Sequence, residues 1–308
     1  MDIWDFKSVF EMLKYFPDEQ SCIDYLEDVR WRGEVISPFD EASKVYRCSN
    51  GRYRCSNTGK YFNVKTGSMF ENTKIPLKKW FYAIYMATAH KKGISSLQLS
   101  RDLNITQKTA WFMLQRIRNC FGAECIECLE NEVEADETYI GGKNKNRHKN
   151  KKVKNSQGRS VKDKTPVFGM IQRSGVLVAK VVADTKASTL MPNVNNWVKK
   201  DSFIYTDEWQ AYLQLNINYK HEVVHHGEGE YVSNRAHTNT MEGFWGLLKR
   251  GIVGIYHNVS RKHLQRYVDE FVFRYNTRKI SESKRFALFL QQTGNRLTYQ
   301  ELISNVYA

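Results

Sequence analysis

Long apolar runs are missing from this sequence. Nowhere is a stretch long enough to cross a bilayer, and the opening Met1-Asp2-Ile3-Trp4-Asp5 carries acids where a secretory leader would carry bases. No membrane role is expected, and the chain is expected to stay in the cytoplasm. Cysteine is sparse and irregularly spaced, six in 308 residues, which argues for reduced thiols over a disulfide framework. Negative charge is also in deficit: Lys and Arg number 47 against 33 Asp and Glu, a formal net charge of +14. A field of that sign draws in a polyanion before any local contact forms, so nucleic acid is the expected partner and the nucleoid the expected place of work. Enough remains for a core, with 41% hydrophobic and 13% aromatic residues, and the length fits two or three structural units.

Residues 1–66 open with helix-period apolar positions, Phe6, Val9, Phe10 and Leu13, then Ile23, Leu26 and Val29 behind Ser21 as a candidate cap. From Ser37 to Val64 the period shortens, and Asn-Gly and Thr-Gly turns in VYRCSNGRYRCSNTGKYFNVKTG predict a small β module. In residues 67–122, the segment after Pro76 places Trp80, Ala83, Ile84 and Ala87 on one helical face. A helix-turn-helix pattern follows. Leu97, Leu99 and Leu103 would pack its first helix, Asn104-Ile105-Thr106 makes the turn with Thr106 as N-cap, and Trp111, Leu114 and Ile117 face inward on the second. Gln107, Lys108 and Arg116 are then left to face DNA, unless the pair is an ordinary helical hairpin.

Residues 130–280 change texture. VEADETYIG, PVFGMIQR, VLVAKVVA and FIYTDEW read as buried or half-buried strands, with TLMPNVNNWVKK as a helix between the third and fourth. Three strands in meander, a helix and another strand is the order of an RNase H-like, retroviral-integrase-like α/β (α+β) core, here preceded by the β module and the helix-turn-helix. Between the first two strands an insertion, residues 143–164, holds ten Lys or Arg and one acid. It has almost nothing to bury, so it is either a solvated loop or a phosphate clamp using Lys143, Lys145, Arg147, Lys149, Lys151 and Lys152. Leu264, Tyr267, Val268, Phe271, Val272 and Tyr275 mark a core-facing helix, and residues 281–308 form a C-terminal extension.

Asp136 lies within an apolar strand, and Asp207 ends another. Carboxylates there are costly without a compensating cation, so two of them suggest a shared divalent metal site. A third ligand would come from HTNTMEGFWGLLKRG. At 100° per residue Asn239, Glu242, Gly246 and Lys249 fall in a stripe roughly 80° wide, beside an apolar stripe of Met241, Trp245, Leu248 and Ile252. Phosphoryl transfer at a phosphodiester needs an activated nucleophile and a neutralised leaving oxygen, and two divalent ions supply both. Hard oxygen ligands suit two Mg²⁺, with Mn²⁺ as a substitute. In this expectation Asp136 bridges both ions, Asp207 and Glu242 each hold one, Lys249 pins a phosphate, and Arg250 joins the DNA-facing set.

VEADETYIGGKNKNRHKNKK, YTDEWQAY and HTNTMEGFWGLLKRGIVGIYHNVSRKHLQRYVDEFVFRYNTR closely resemble the catalytic domain of the ISXO-type insertion-sequence DDE transposases, over roughly residues 60 to 280. The resemblance implies an RNase H-like fold, Mg²⁺-dependent DNA cleavage and strand transfer, binding to terminal inverted repeats and target DNA, and a homo-oligomer on DNA. The first two acids of that family match Asp136 and Asp207. Its third position varies between Asn and Glu, and here Asn239 and Glu242 lie one turn apart; Glu242 is favoured because an anion holds Mg²⁺ better than an amide. Asn239 and His237 remain candidate supporting or substrate contacts, and His225 and His226 either approach the site or are structural. Relatives carry a zinc ribbon with two Cys-x-x-Cys pairs, whereas this chain has Ser37-Pro-Phe-Asp40 and Cys55-Ser-Asn-Thr58. No structural zinc is expected, at these positions or at Cys125 and Cys128, and packing of Tyr53, Tyr61 and Phe62 is expected to hold the β module. The competing readings are a non-catalytic helix-turn-helix DNA-binding protein and an RNase H-like nuclease that cleaves without joining.

Overall fold

The computed structural model describes residues 5–122, 128–142, 148–154, 160–224 and 237–304. Among them no helix is long and apolar enough to cross a membrane. The chain divides into two units, one formed by residues 1–123 with 277–307, the other by residues 124–276.

The first unit begins with α1 (Val9–Tyr15) and α2 (Glu19–Trp31). Asp18, not Ser21, caps α2: the Asp18 carboxylate accepts from the Ser21 N–H and Ser21 completes a capping box. Phe6, Met12 and Phe16 are buried on this stretch while Phe10 is exposed, because Phe10 falls outside the stripe that meets the core. A three-stranded antiparallel sheet follows, of β1 (Val45–Arg47), β2 (Tyr53–Cys55) and β3 (Tyr61–Phe62). Alternation on β3 buries Phe62 and leaves Tyr61 outside, so the module is held by Phe62 stacked on Tyr53 and by Trp31 from α2 edge-on to both. The Cys55 thiol is buried, which alone would raise its pKa, but hydrogen bonds to Ser37, Ser43 and Thr58 bring it down to about 6. Next come α3 (Leu77–Ala89), α4 (Ser96–Leu103) and α5 (Gln107–Phe121). Asn104 turns the chain in the left-handed region and the Thr106 hydroxyl caps α5, as the helix-turn-helix pattern requires.

The second unit is a five-stranded sheet in spatial order β6-β5-β4-β7-β8, built from β4 (Glu132–Ile140), β5 (Thr165–Gln172), β6 (Leu177–Val181), β7 (Phe203–Asp207) and β8 (Lys220–Val224). The first three form the antiparallel meander; β7 joins β4 in parallel and β8 joins β7 in parallel. Helix α6 (Ala187–Trp197) makes the crossover between β6 and β7, as parallel pairing demands. Its Leu190, Val194 and Trp197 pack with Val133, Ala135, Phe168 and Met170 on one face of the sheet. Helices α7 (Asn239–Gly251) and α8 (Leu264–Asn276) cover the other, where Met241, Phe244, Trp245, Leu248, Val268 and Phe271 meet Ile140, Val167, Ile171 and Leu177.

After residue 276 the described chain returns to the first unit as α9 (Glu282–Gln291) and α10 (Tyr299–Ile303). Phe286 and Phe289 of α9 are fully buried, against Phe6, Phe16, Phe81 and Phe121. Two corrections belong to this unit. Leu97 is half exposed because the buried face of α4 is made by Leu99, Ser100 and Leu103. Arg116, expected to face DNA, is 6% exposed and donates to the carbonyls of Met69, Glu71 and Leu297 at 2.9–3.0 Å, with its guanidinium over the Phe112 ring. Lys108 and Gln107, by contrast, stay exposed in the first turn of α5.

Arg116→Met removes the donor for three carbonyls at once. It is expected to lower the stability of the first unit by about 3 kcal/mol in urea denaturation, whereas Lys108→Ala should cost less than about 1 kcal/mol.

Candidate active site

Parallel pairing of β4 with β7 decides where the two aspartates stand. Glu134 is paired with Tyr205, and Asp136 and Asp207 each lie two residues further on. Side chains two apart share a face, so both carboxylates emerge side by side where the ladder ends. The Asp207 carboxylate is fixed by the Trp209 N–H, which donates to it at 3.1 Å.

Helix α7 supplies the other wall. Its N-terminal half lies on β4 and β5 through Met241 and Trp245, and the Trp245 indole N–H donates to the Asp136 carboxylate at 3.0 Å. The approach is possible because Gly169 is the residue of β5 opposite Asp136. A Cβ built at Gly169 would lie 2.7 Å from Met241 Cε and 2.7 Å from the Trp245 ring. On the solvent side of the same helix stand Glu242, Lys249, Asn239 and Arg250.

The electrostatics join these groups. Burial, then the charge of Asp207, then that of Glu242 push the Asp136 carboxyl up to about 7, against hydrogen bonds from the Glu137 backbone and Trp245 that favour the anion. The Lys249 amine is lowered by desolvation, an effect opposed by Asp136 and reinforced by Lys164. Asp136, Asp207, Glu242 and Lys249 therefore lie in one electrostatic neighbourhood. Among the described residues, no three His, Cys, Asp or Glu side chains stand close enough to make a ready-formed metal cage. The donor set nevertheless suits a hard divalent cation: carboxylate oxygens, with a half-buried Asp136 that feels the charges of Asp207 and Glu242, which a dication would offset.

The other acids of β4 have different partners. The Glu134 carboxylate is completely buried, accepting from Arg173, from the Thr240 hydroxyl and from the N–H groups of Thr240 and Met241, with His237 Nδ1 3.2 Å away. Glu137 points to the opposite face and accepts from the buried Tyr212 hydroxyl. Beyond the end of β4, a cavity of about 730 Å³ is lined by Gly141, Gly142, Lys249, His257 and Asn258 among others. His257 ends a π-helical turn, Ile252–Tyr256, with φ +58°, a left-handed backbone uncommon outside glycine.

Of the residues singled out from sequence, Lys143, Lys145, Arg147, His225, His226 and Cys125 lie outside the described residues, as does the Lys151 side chain. Lys149 and Lys152 are exposed. His237 stands beside Glu134. Sequence reasoning passed over Glu134, Gly169, Arg173 and Lys164. The first could have been suspected as a second acid on the inward face of an apolar strand.

A family model described as an ISXO2-like transposase domain matches residues 128–276. An uncharacterised protein in transposable element ISH50 of Halobacterium salinarum is 30% identical over 278 residues, covering 85% of this chain and 92% of that protein. An uncharacterised transposase-like protein of Haemophilus influenzae is 28% identical over 101 residues, 32% of this chain and 80% of that one. Among solved structures, a pre-cleavage Mos1 transpososome aligns over 74% of this chain and 82% of that chain, at 12% identity and a TM-score of 0.28. The Mos1 strand transfer complex aligns over the same shares at 13% identity and a TM-score of 0.24.

Two outcomes follow from this geometry. The Asp136 carboxyl, ordinarily near 3.8, titrates at about 7 in the folded, metal-free protein. Stability present below pH 3.8 is therefore lost as pH rises through 7. Asp136→Asn has no charge to bury, and in EDTA at pH 8 it should melt about 5 °C above the wild type, the gap closing by pH 4. Gly169→Val should drive Trp245 off the sheet and cost about 3 kcal/mol in urea denaturation.

Proposed function

We propose, from the premise that this chain belongs to the ISXO2-like transposase family, that Asp136, Asp207 and Glu242 hold two divalent cations at which DNA is cut and joined. The observation that carries the reading is a carboxyl, Asp136, held among other acids: burial first, then the charges of Asp207 and Glu242, raise its pKa. An acid raised by burial and by two neighbouring carboxylates, on two inner strands and on a facing helix, is poorly explained as a surface charge and well explained as a cation ligand. The sheet order β6-β5-β4-β7-β8, with an antiparallel meander and a parallel continuation, supports an RNase H-like, integrase-like core.

Mg²⁺, with Mn²⁺ as a substitute, would supply charge neutralisation at the attacking and leaving oxygens. The chain's own residues do the rest. Trp245 holds one oxygen of Asp136, leaving the other for a cation, and the Trp209 N–H orients Asp207. Glu242 is the third ligand in preference to Asn239, because it is the Glu242 charge that is felt at Asp136. Lys249, with Lys164 beside it, presents amines to the phosphate chain where three acids would otherwise repel it. On the second unit exposed Lys149, Lys152 and Arg250 would add basic contacts to DNA, and on the first unit Gln107 and Lys108 would do so separately. The partners on this reading are terminal inverted repeats and target DNA, engaged on the nucleoid by more than one copy of the chain.

Duplexes carrying the inverted repeats that flank the gene, incubated with the full chain and Mg²⁺ or Mn²⁺, should yield 3′ hydroxyl ends and then joined products. Asp136→Asn, Asp207→Asn and Glu242→Gln should each lower both products by at least about a hundredfold. Full activity in Asp136→Asn would sink the assignment. Cleavage without joining would identify a nuclease, and metal-independent binding without cleavage a regulator.

A further inference from the structure

Glu134 and Asp136 share one face of β4 two residues apart, but only one of them is free for a cation. Both Glu134 oxygens are taken. Oε2 accepts from the Thr240 and Met241 N–H groups at 3.0 and 3.1 Å; Oε1 accepts from the Thr240 hydroxyl at 2.9 Å and from Arg173 Nε at 3.2 Å. A carboxylate with that many donors and no exposed surface has no lone pair left for a metal.

What those donors belong to is the more informative fact. Thr240 and Met241 are in the first turn of α7, where helix N–H groups lack intrahelical acceptors. The residue at the N-cap position, Thr238, makes no side-chain capping bond, so these N–H groups are met by an acid on the neighbouring sheet. Arg173 completes the fixture. It follows β5, donates to Glu134 and to the His237 carbonyl at 3.2 Å, and lies over the Tyr205 ring at 4.1 Å. Strands β4 and β7, the end of β5 and the entry to α7 thus meet at one buried ion pair. Glu242 comes two residues after Thr240.

We propose that Glu134 is a positioning residue, which locks the first turn of α7 to β4 and so sets Glu242 against Asp136. The proposal rests on the metal-site reading of those two acids. A helix start tied only by its apolar face can slide or fray at this end; the buried carboxylate removes that freedom, and it is matched by Arg173, so it adds little repulsion at Asp136.

The test is Mn²⁺ binding to the full chain without DNA, followed by electron paramagnetic resonance, together with amide exchange in the metal-free protein. Glu134→Gln should weaken Mn²⁺ binding at least tenfold and speed exchange at Thr240 and Met241. Asp136→Asn should abolish Mn²⁺ binding and leave those amides protected. Thr240→Val, which removes only the hydroxyl bond, should weaken Mn²⁺ by two- to threefold and decides the matter if Glu134→Gln does not fold. Wild-type Mn²⁺ affinity in a folded Glu134→Gln, whatever its melting temperature, would make the residue merely structural and overturn the proposal. Unchanged affinity in Thr240→Val, with Glu134→Gln unfolded, would overturn it as well. Absence of Mn²⁺ binding by the wild type would instead defeat the metal-site reading itself, and the role given to Glu134 with it.

Discussion

Carboxylates on the inward face of β4 are the constraint from which the second unit takes its form. A charge carried into a sheet must find donors, an opposite charge, or a cation. Glu134 has found donors and Arg173, and is quiet. Asp136 has one indole N–H and one backbone N–H, set against burial and two negative neighbours, and its proton affinity rises. The same strand therefore holds one acid whose requirements are met inside the protein and one whose requirements are not. Helix α7 serves both: its first turn donates to Glu134, and its second brings the Trp245 indole to Asp136.

Much of this was legible in the sequence, because it follows from periodicity. Acids interrupting apolar strands marked Asp136 and Asp207, and the wheel of α7 separated a seating stripe from a stripe of polar groups. Interactions that depend on which element docks where left weaker traces. Glu134 reads as one more strand acid until α7 is laid across it, and Gly169 reads as a weak point in β5 until Trp245 occupies the space. Arg116 was misjudged for a related reason. A basic residue on a helical pair looks exposed when the two helices are considered alone, and it is the carbonyls of Met69, Glu71 and Leu297 from other segments that enclose it. Phe10, Tyr61 and Leu97 were placed inside by hydrophobicity, where phase on the local element put them outside.

The β module of the first unit accommodates a buried sulfur in a different way. Three hydroxyls, from Ser37, Ser43 and Thr58, converge on the Cys55 thiol. Hydrogen bonds to the sulfur hold its pKa near 6, favouring the thiolate, and the stacked Tyr53 and Phe62 with Trp31 of α2 supply the apolar contact that so small a sheet cannot provide from its own strands.

A cluster of three carboxylates is a poor destination for DNA unless something offsets its field, and the distribution of the bases answers that. The formal charge of +14 acts at long range, but a Debye length of about 8 Å at physiological salt leaves the last approach to local groups. On the proposed reading Lys249 serves that step, where Lys164 lies close enough to disfavour its charge and Asp136 close enough to favour it. Arg261 holds the backbone leading to Lys164 by donating to the carbonyls of Val161 and Lys162. On the proposed reading a phosphate would be drawn to these amines as a cation would be drawn to the acids, so the site pairs groups of opposite sign for the two parts of a DNA–metal complex.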